Sequence, residues 1–577
     1  MNLIPKINGR VVTHKGKLTV YEPISFHGKL HEEAWAMRFG LIEATDGLLY
    51  FSEDPAIPKE GYKLTVSVEG IEISASDRAG QFYGLITLQH LLRGGRSGLL
   101  ELNSKIPYME IEDAPRYSHR GFMLDVSRHF TGALEVERLL EQMALLKLNV
   151  FHWHLSDDQG FRIESKKFPK LNSVGSASDD VPATDGSKRQ YYTQEEIREV
   201  VAFAAERCIT VIPEIDLPGH TSAIVAAYPE LSCTEAPMKG LPQGFTDERR
   251  ILCAGKEQVY TFLYQLLEEV CGLFPGPYFH LGGDEVPKEA WKACEACQRM
   301  IRDHQLDGEE GLQAYFTEQL IHHLNSLGKT AIGWNEILKS GTLSPESAVV
   351  QFWSEELMKP TDKPYVMREM PKGYSFIFSS NPAFYFDYSH ALVTLKATYN
   401  YEPNVTNDYN VPAGQVRGLE CCLWTERVPT VENLQKKIFP RLIAMAENAW
   451  CADRSDYEDF LRRLKAYQTT LDDLSIAYTP VEQMNTSPKD AVKEALAMIQ
   501  FPSGSDKGGN KELPAGIPEF LINILRFVFT NAMMYSYTEE EKKQIMQEIE
   551  QQLGLSLSRC TPWSSEISRR NGSYESI

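Results

Sequence analysis

Short apolar runs alternate with stretches of helical periodicity from about residue 117 to about residue 455. Parallel strands cannot be joined by a tight turn, so such a pattern calls for crossover helices between strands of one parallel sheet. Candidate strands fall at 119–126, 149–155, 209–215, 278–283, 330–334, 347–353, 374–380 and 416–424. Helical spacing fills several gaps, for example Leu134 to Leu146 and Glu195 to Cys208. Eight strand and crossover units predict an α/β fold, a (β/α)8 TIM barrel, with its chemistry where the strands end.

The flanks have a different grain. Residues 1–115 predict a small α+β domain: Tyr62 to Val68 alternates apolar and polar residues, as does Ile71-Glu72-Ile73. Asp77 is placed to cap a helix running through Phe82, Leu85, Ile86, Leu88 and Leu92, which stops before Gly94-Gly95. The segment Asp113-Ala114-Pro115-Arg116 marks the joint to a barrel domain over 116–455. Residues 456–577 predict a helical C-terminal region with a flexible linker near 502–512. Within it Thr538-Glu539-Glu540-Glu541 is a capping-box pattern for a charged helix ending at Gly554.

The predicted strand ends gather polar and aromatic residues at one rim. In chain order they bring Asp125 and Arg128; His152, His154, Asp157 and Asp158; Asp216 and His220; and Asp284 and Glu285. The later strands bring Trp334, Asn335 and Glu336; Trp353; Asn381 and Tyr385; and Trp424 and Glu426. Loops are polar in any protein, but four of the eight tryptophans (Trp153, Trp334, Trp353 and Trp424) stand at these ends.

The sharpest motif is His280-Leu281-Gly282-Gly283-Asp284-Glu285. Adjacent carboxylates suit general acid/base work, because one can be held neutral while the other stays charged. Neighbours on a regular strand face opposite ways, so the double glycine supplies the freedom that lets both reach one substrate. A retaining glycosidase ordinarily needs a second protein carboxylate as nucleophile, about 5 Å from the first. The seventh strand ends in Ser379-Ser380-Asn381-Pro382 and offers none, while Glu336 and Glu426 remain as candidates. Substrate assistance is the other solution.

Taken together, Arg120 to Phe130, Phe151 to Gly160, Val211 to His220, His280 to Glu285, Trp334-Asn335-Glu336, Tyr385-Phe386-Asp387 and Leu423-Trp424-Thr425-Glu426 resemble glycoside hydrolase family 20, the β-N-acetylhexosaminidases. The motifs occur in family order over about 117 to 430. The N-terminal module resembles the non-catalytic domain that precedes this barrel. The resemblance implies an exo-acting, retaining enzyme that removes terminal β-linked GlcNAc or GalNAc, with the substrate's 2-acetamido oxygen as nucleophile. Glu285 would be the acid/base, Asp284 would accept the acetamide N–H, and Tyr385 would hold the acetamide oxygen. Arg128 would bind the 3- and 4-hydroxyls, and Asp387 and Glu426 the 4- and 6-hydroxyls. Trp334, Trp353 and Trp424 would wall the pocket, and Asp158 and His220 would form a relay to Glu285. Phe386 and Phe161 stand where the family commonly has leucine and tryptophan, both apolar exchanges.

Two rival readings come from the residues themselves. His152-Trp153-His154 puts two imidazoles on one strand face, as in a metal-dependent hydrolase barrel. The same pocket would also serve a sugar-binding barrel without chemistry, which would have no need of the Asp284–Glu285 pair. The reading carries no cofactor and no metal. Cys294-x-x-Cys297 lacks a second pair at zinc-ligand spacing and reads as a reduced pair on a helix. A formal net charge of −20 argues against nucleic acid and anionic membranes and leaves neutral glycans as partners. The opening residues hold no uninterrupted apolar run of signal-peptide length, giving a cytoplasmic expectation unless a leader was removed.

Overall fold

The computed structural model describes residues 2–93, 104–176, 183–186, 188–242, 250–353, 363–403 and 411–484, with isolated positions 540, 544 and 547. The expected linker near 502–512, and nearly all of the helix expected at 538–554, lie outside the described residues.

Near the N-terminus, β1 (Arg10–Val20), β2 (Ile24–Gly28), β3 (Leu41–Glu43), β4 (Leu49–Glu53), β5 (Tyr62–Val66), β6 (Ile71–Ala75) and β7 (Ser104–Asp113) form one sheet, in the order β1-β7-β5-β6-β4-β2-β3. In β5 the pattern that alternates in sequence alternates in space: Tyr62, Leu64 and Val66 are buried, Lys63 and Thr65 half-buried. The helix Arg78–Arg93 packs across β5, β6 and β7 and buries Phe82, Leu85 and Ile86. Asp77 Oδ1 accepts from the Gly80 N–H at 2.8 Å, satisfying one of that helix's first amides.

Beyond it run β8 (His119–Asp125), β9 (Val150–His154), the two-residue strands β10 (Ser156–Asp157) and β11 (Gly160–Phe161), then β12 (Thr210–Glu214), β13 (Tyr278–His280), β14 (Thr330–Trp334), β15 (Ala348–Phe352), β16 (Ser375–Phe378) and β17 (Val416–Leu423). All but β10 and β11, which pair with each other, close into a parallel barrel in the order β12-β13-β14-β15-β16-β17-β8-β9. The eight-stranded barrel expected from the strand pattern is what the chain forms.

Amphipathic helices surround it. Ala133–Leu145 buries Val136, Leu139, Leu140 and Met143, and Gln194–Glu206 opens with a capping box between Thr193 and Glu196. Inside, alternate strand residues make layers. Val150, Ile212, Ile332, Val349 and Ile377 pack an apolar floor. His152, Glu214, Gln351 and Glu420 form a polar storey, and the aromatic rim lies above it.

The N-terminal domain docks at the other end, where strands begin. Arg120 at the start of β8 pairs with Glu60 at 3.0 Å, and Arg78 donates to Ala205 O at 2.9 Å just before β12. Asp113, read from sequence as a joint, is a buried hub that accepts from Asn8 N, Tyr62 OH, Lys147 Nζ and Trp450 Nε1. After the barrel, the helix Tyr457–Asp473 returns to the N-terminal residues, where Arg463 donates to Leu3 O at 2.9 Å and pairs with Glu447 at 2.6 Å. Among the described residues, no helix is long and apolar enough to cross a membrane.

Candidate active site

Each of the eight barrel strands delivers at least one of the sequence-named residues to the same rim. Arg128 follows β8, Asp158 follows β9, His220 follows β12, and Asp284 and Glu285 follow β13. Trp334 ends β14, Trp353 follows β15, Tyr385 and Asp387 follow β16, and Trp424 and Glu426 follow β17.

The turn that carries the carboxylates is held from two sides. The Gly282 N–H donates to His280 Nδ1 at 3.0 Å, and the Gly283 N–H donates to Asp216 Oδ1 at 3.0 Å. Gly282 has φ +67°, and a Cβ there would meet Asp216 Oδ1 at 1.8 Å, so any side chain would be strained and would force the turn and Asp216 apart. Beyond the glycines Glu285 itself has φ +50° and projects from the surface, while Asp284 is buried. Adjacent residues are thus turned into one site by a left-handed step rather than by strand alternation.

Asp284 Oδ2 stands 3.7 Å from His220 Nε2, and its Oδ1 is buried without a hydrogen-bond partner among the described residues. The relay expected from Asp158 through His220 therefore leads toward Asp284, the neighbour of Glu285. On the far side of the ring, His220 Nδ1 meets Asp157 Oδ1 at 3.1 Å and Asp158 Oδ2 at 3.6 Å. Asp158 also accepts from the Ser222 hydroxyl at 2.6 Å. Burial disfavours a charged His220, but the Asp157 charge and the ring's hydrogen bonds to the Asp157 and Asp158 carboxylates outweigh it and push its pKa well above the ordinary range. Beneath the turn, the Asp216 carboxyl is pushed far up by burial and by the Asp284 charge.

The facing wall is aromatic. Trp334, Trp353 and Tyr385 pack with Met123 and Cys422, and Trp424 and Tyr388 lie against them. Tyr385 stacks on Trp353 at 6.0 Å between centroids. Burial, Cys422 and the charge of Asp284 keep the Tyr385 hydroxyl protonated. Tyr374, just before β16, donates its hydroxyl to Leu343 O at 2.6 Å and is buried away from this wall. Trp334 Nε1 donates to Glu214 Oε1 at 3.0 Å, and Trp353 Nε1 to Glu336 Oε2 at 2.9 Å. Glu336, one of the two spare candidates for a protein nucleophile, is thereby tied to Trp353.

At the mouth Arg128 reaches Asp157 at 2.7 Å, Asp125 at 3.2 Å and Glu426 at 3.8 Å, with its guanidinium 4.9 Å from the centroid of the Trp424 ring. Asp387 Oδ1 is buried and unpartnered among the described residues, and burial with the Glu426 charge pushes its carboxyl up to about 7. Buried polar atoms left open around one pocket are what a polyhydroxylated ligand would satisfy.

Sequence reasoning placed Asp125, Asp157 and Asp216 at the rim without a role and passed over Glu214 and Gln159, although all five lie inside the resembling stretches. The structure shows them supporting the residues that were given roles. His152 and His154 are supports as well. His152 sits between Glu420 (2.8 Å) and Glu214 (3.0 Å), and His154 between Glu214 (2.5 Å) and Asp157 (3.0 Å). Burial opposes their charge, but the carboxylates prevail and push His152 up to about 9. Carboxylates on both sides thus hold each ring in place.

The model of glycosyl hydrolase family 20, catalytic domain, matches residues 117–453, and the model of the same family's domain 2 matches 30–114. The chain belongs to glycosyl hydrolase family 20. A family 20 relative, the β-hexosaminidase of Porphyromonas gingivalis, is 38% identical over 452 residues, covering 76% of this chain and 57% of that protein. The chain thus spans little more than half of that relative. The β-hexosaminidase of Akkermansia muciniphila is 32% identical, over 72% of this chain and 85% of its own. Among solved structures, the exo β-N-acetylglucosaminidase of Vibrio harveyi in complex with N-acetylglucosamine superposes with a TM-score of 0.72 at 29% identity, covering 83% of this chain and 78% of that one. The β-N-acetylhexosaminidase of Bacteroides fragilis gives 0.72 at 28% identity, covering 83% and 97%.

Proposed function

We propose that this chain removes terminal, non-reducing β-linked N-acetylhexosamine, GlcNAc or GalNAc, from glycans with retention, through an oxazolinium intermediate. One observation carries the reading. Asp284 Oδ1 is a buried carboxylate oxygen with no protein donor among the described residues, and its charge is felt by the Tyr385 hydroxyl on the facing aromatic wall. A 2-acetamido group has the matching pair of atoms, an N–H for Asp284 and a carbonyl oxygen for Tyr385.

Held in that way, the acetamide oxygen attacks the anomeric carbon while exposed Glu285 protonates the glycosidic oxygen and the aglycone leaves. Asp284 stabilises the positive charge that grows on the acetamide nitrogen, and His220 behind it fixes its orientation. Glu285, now a carboxylate, takes a proton from water, which opens the oxazolinium at the same face and restores the configuration. Making the attack intramolecular lowers the barrier by several kcal/mol, with ~7–11 kcal/mol reached in model systems. Arg128, Asp387 and Glu426 would meet the far hydroxyls, so that only a chain end is accepted.

The test is hydrolysis of an aryl β-N-acetylglucosaminide beside the matching aryl β-glucoside, which lacks only the acetamide. Fast release from the first and almost none from the second is expected. Comparable release from both would mean a protein nucleophile, with Glu426 first in line. Tight binding of the N-acetylglucosaminide with release from neither would turn the reading to a sugar-binding barrel.

A further inference from the structure

Four cysteines from three separate stretches of chain converge outside the pocket. Cys233 and Cys253 belong to the connection that leaves β12, the one carrying His220, and Cys294 and Cys297 belong to the connection that leaves β13, the one carrying Asp284 and Glu285. Their sulfurs all lie within 4.8 Å of one another, with Cys253 to Cys297 at 3.5 Å, Cys253 to Cys294 at 3.7 Å and Cys233 to Cys297 at 3.8 Å. Four thiolates at about 2.3 Å from a tetrahedral zinc ion stand about 3.8 Å apart. A disulfide needs about 2.05 Å between two sulfurs and would leave the other two unexplained.

The backbone is built to bring them there. Cys253 N–H donates to Leu231 O at 2.9 Å, and Ser232 bridges Leu252, so Cys233 and Cys253 lie on one short ladder. Cys294 and Cys297 occupy the cap and the first turn of the helix Glu295–Asp303, whose free amides favour thiolate charge. The two arms meet closely: a Cβ on Gly255 would come 2.3 Å from the Cys297 nitrogen. Trp291 Nε1 ties them again by donating to Leu252 O at 2.9 Å. Lys256 Nζ fixes the Cys233 segment through Ser232 O at 2.7 Å and Glu230 O at 2.9 Å. Buried cysteines often act as small apolar residues, but apolar packing gives no reason for four sulfurs to face one point.

We propose that Cys233, Cys253, Cys294 and Cys297 hold a structural zinc ion that staples the two loops bearing His220 and Asp284–Glu285. The Cys294-x-x-Cys297 pair that lacked partners in sequence gains them from two separate stretches upstream, those of Cys253 and Cys233, which linear spacing does not reveal. The ion would bind as four thiolates lose their protons, with no oxidation or reduction. It lies outside the carboxylate site and takes no part in the glycoside chemistry.

The full chain, purified without added metal or chelator, is expected to hold about one equivalent of zinc by mass spectrometry of the elements. C253S and C297S are expected to reduce that content at least about tenfold, while C271S, which alters a thiol outside the cluster, leaves it unchanged. Because the cluster variants can fail to fold, the parent protein supplies a second readout. Stepwise mercurial titration should release the zinc into a colorimetric indicator only as the clustered thiols are consumed. Iron in place of zinc, no stoichiometric metal, or non-reduced peptides joining these cysteines in pairs would each overturn the proposal.

Discussion

Glu285 and Asp284 are neighbours with different tasks, and variants separate them. Glu285→Gln keeps the shape and removes the proton, so kcat on a natural glycoside is expected to fall by about 10²–10⁴-fold. The loss should be far smaller with an aryl leaving group that departs unprotonated; an equal loss on both would remove Glu285 from the acid role. Asp284→Asn should lower kcat more than it raises KM, because its charge is matched mainly by the transition state. A change confined to KM would make it a binding residue. Asp387 adds a pH dependence. Its carboxyl is pushed up to about 7 by burial and by Glu426, against Lys437 and Arg441. The folded chain therefore holds this proton over a range in which the unfolded chain has lost it. Stability from this group is full below the ordinary carboxylate range and is lost as pH rises toward about 7. Asp387→Asn is accordingly expected to raise the thermal midpoint more at pH about 8 than at pH about 4. Equal shifts at both would mean that the native Asp387 titrates in the ordinary range.

At the scale of elements, what the sequence made legible was periodicity. Each of the eight expected strands is present, because an apolar run between helical stretches can be buried in few other ways. The rim residues were legible for the same reason, since the end of a strand can be read from its pattern. Their supports were not. Glu214 and Glu420 look like charges out of place in buried strands, and only barrel closure shows them meeting His152, His154 and His119. The cysteine cluster was hidden likewise, its halves lying in different connections. The β13 turn joins the two kinds of information: its glycines were visible, while the placement of Asp216 beneath them, in the space a Cβ would need, was not. Gly282→Ala is expected to leave the barrel folded and displace Asp284 and Glu285. A displacement near 1 Å can cost about 10²-fold in kcat. Wild-type kcat in a folded Gly282→Ala protein would show that the left-handed step has no catalytic consequence.

Across the whole molecule, the pocket and the domain interface occupy opposite ends of the barrel, and this arrangement separates stability from chemistry. Asp113 is the centre of the interface. Tyr62 and Asn8 bind it from the N-terminal side, and Lys147 at 3.2 Å and Trp450 from the barrel side, with the Lys147 ammonium 4.3 Å from the centroid of the Trp450 ring. Burial lowers the Lys147 pKa, although Asp113 opposes the shift, so the ammonium depends on this partner. Removing one member of a buried ion pair strands the other, at a cost of about 3–5 kcal/mol, whereas replacing both with apolar groups is often nearly neutral. Asp113→Ala should thus lower the thermal midpoint markedly, and Lys147→Met combined with Asp113→Leu should recover much of the loss. Below the transition both proteins should keep the parent kcat and KM, since β8 and β9 separate Arg120 and Lys147 from Asp125 and His154. Scanning calorimetry read beside kinetics on the aryl N-acetylglucosaminide decides it. If kcat falls in Asp113→Ala at temperatures where the protein is still folded, the N-terminal domain is coupled to the catalytic rim through the barrel.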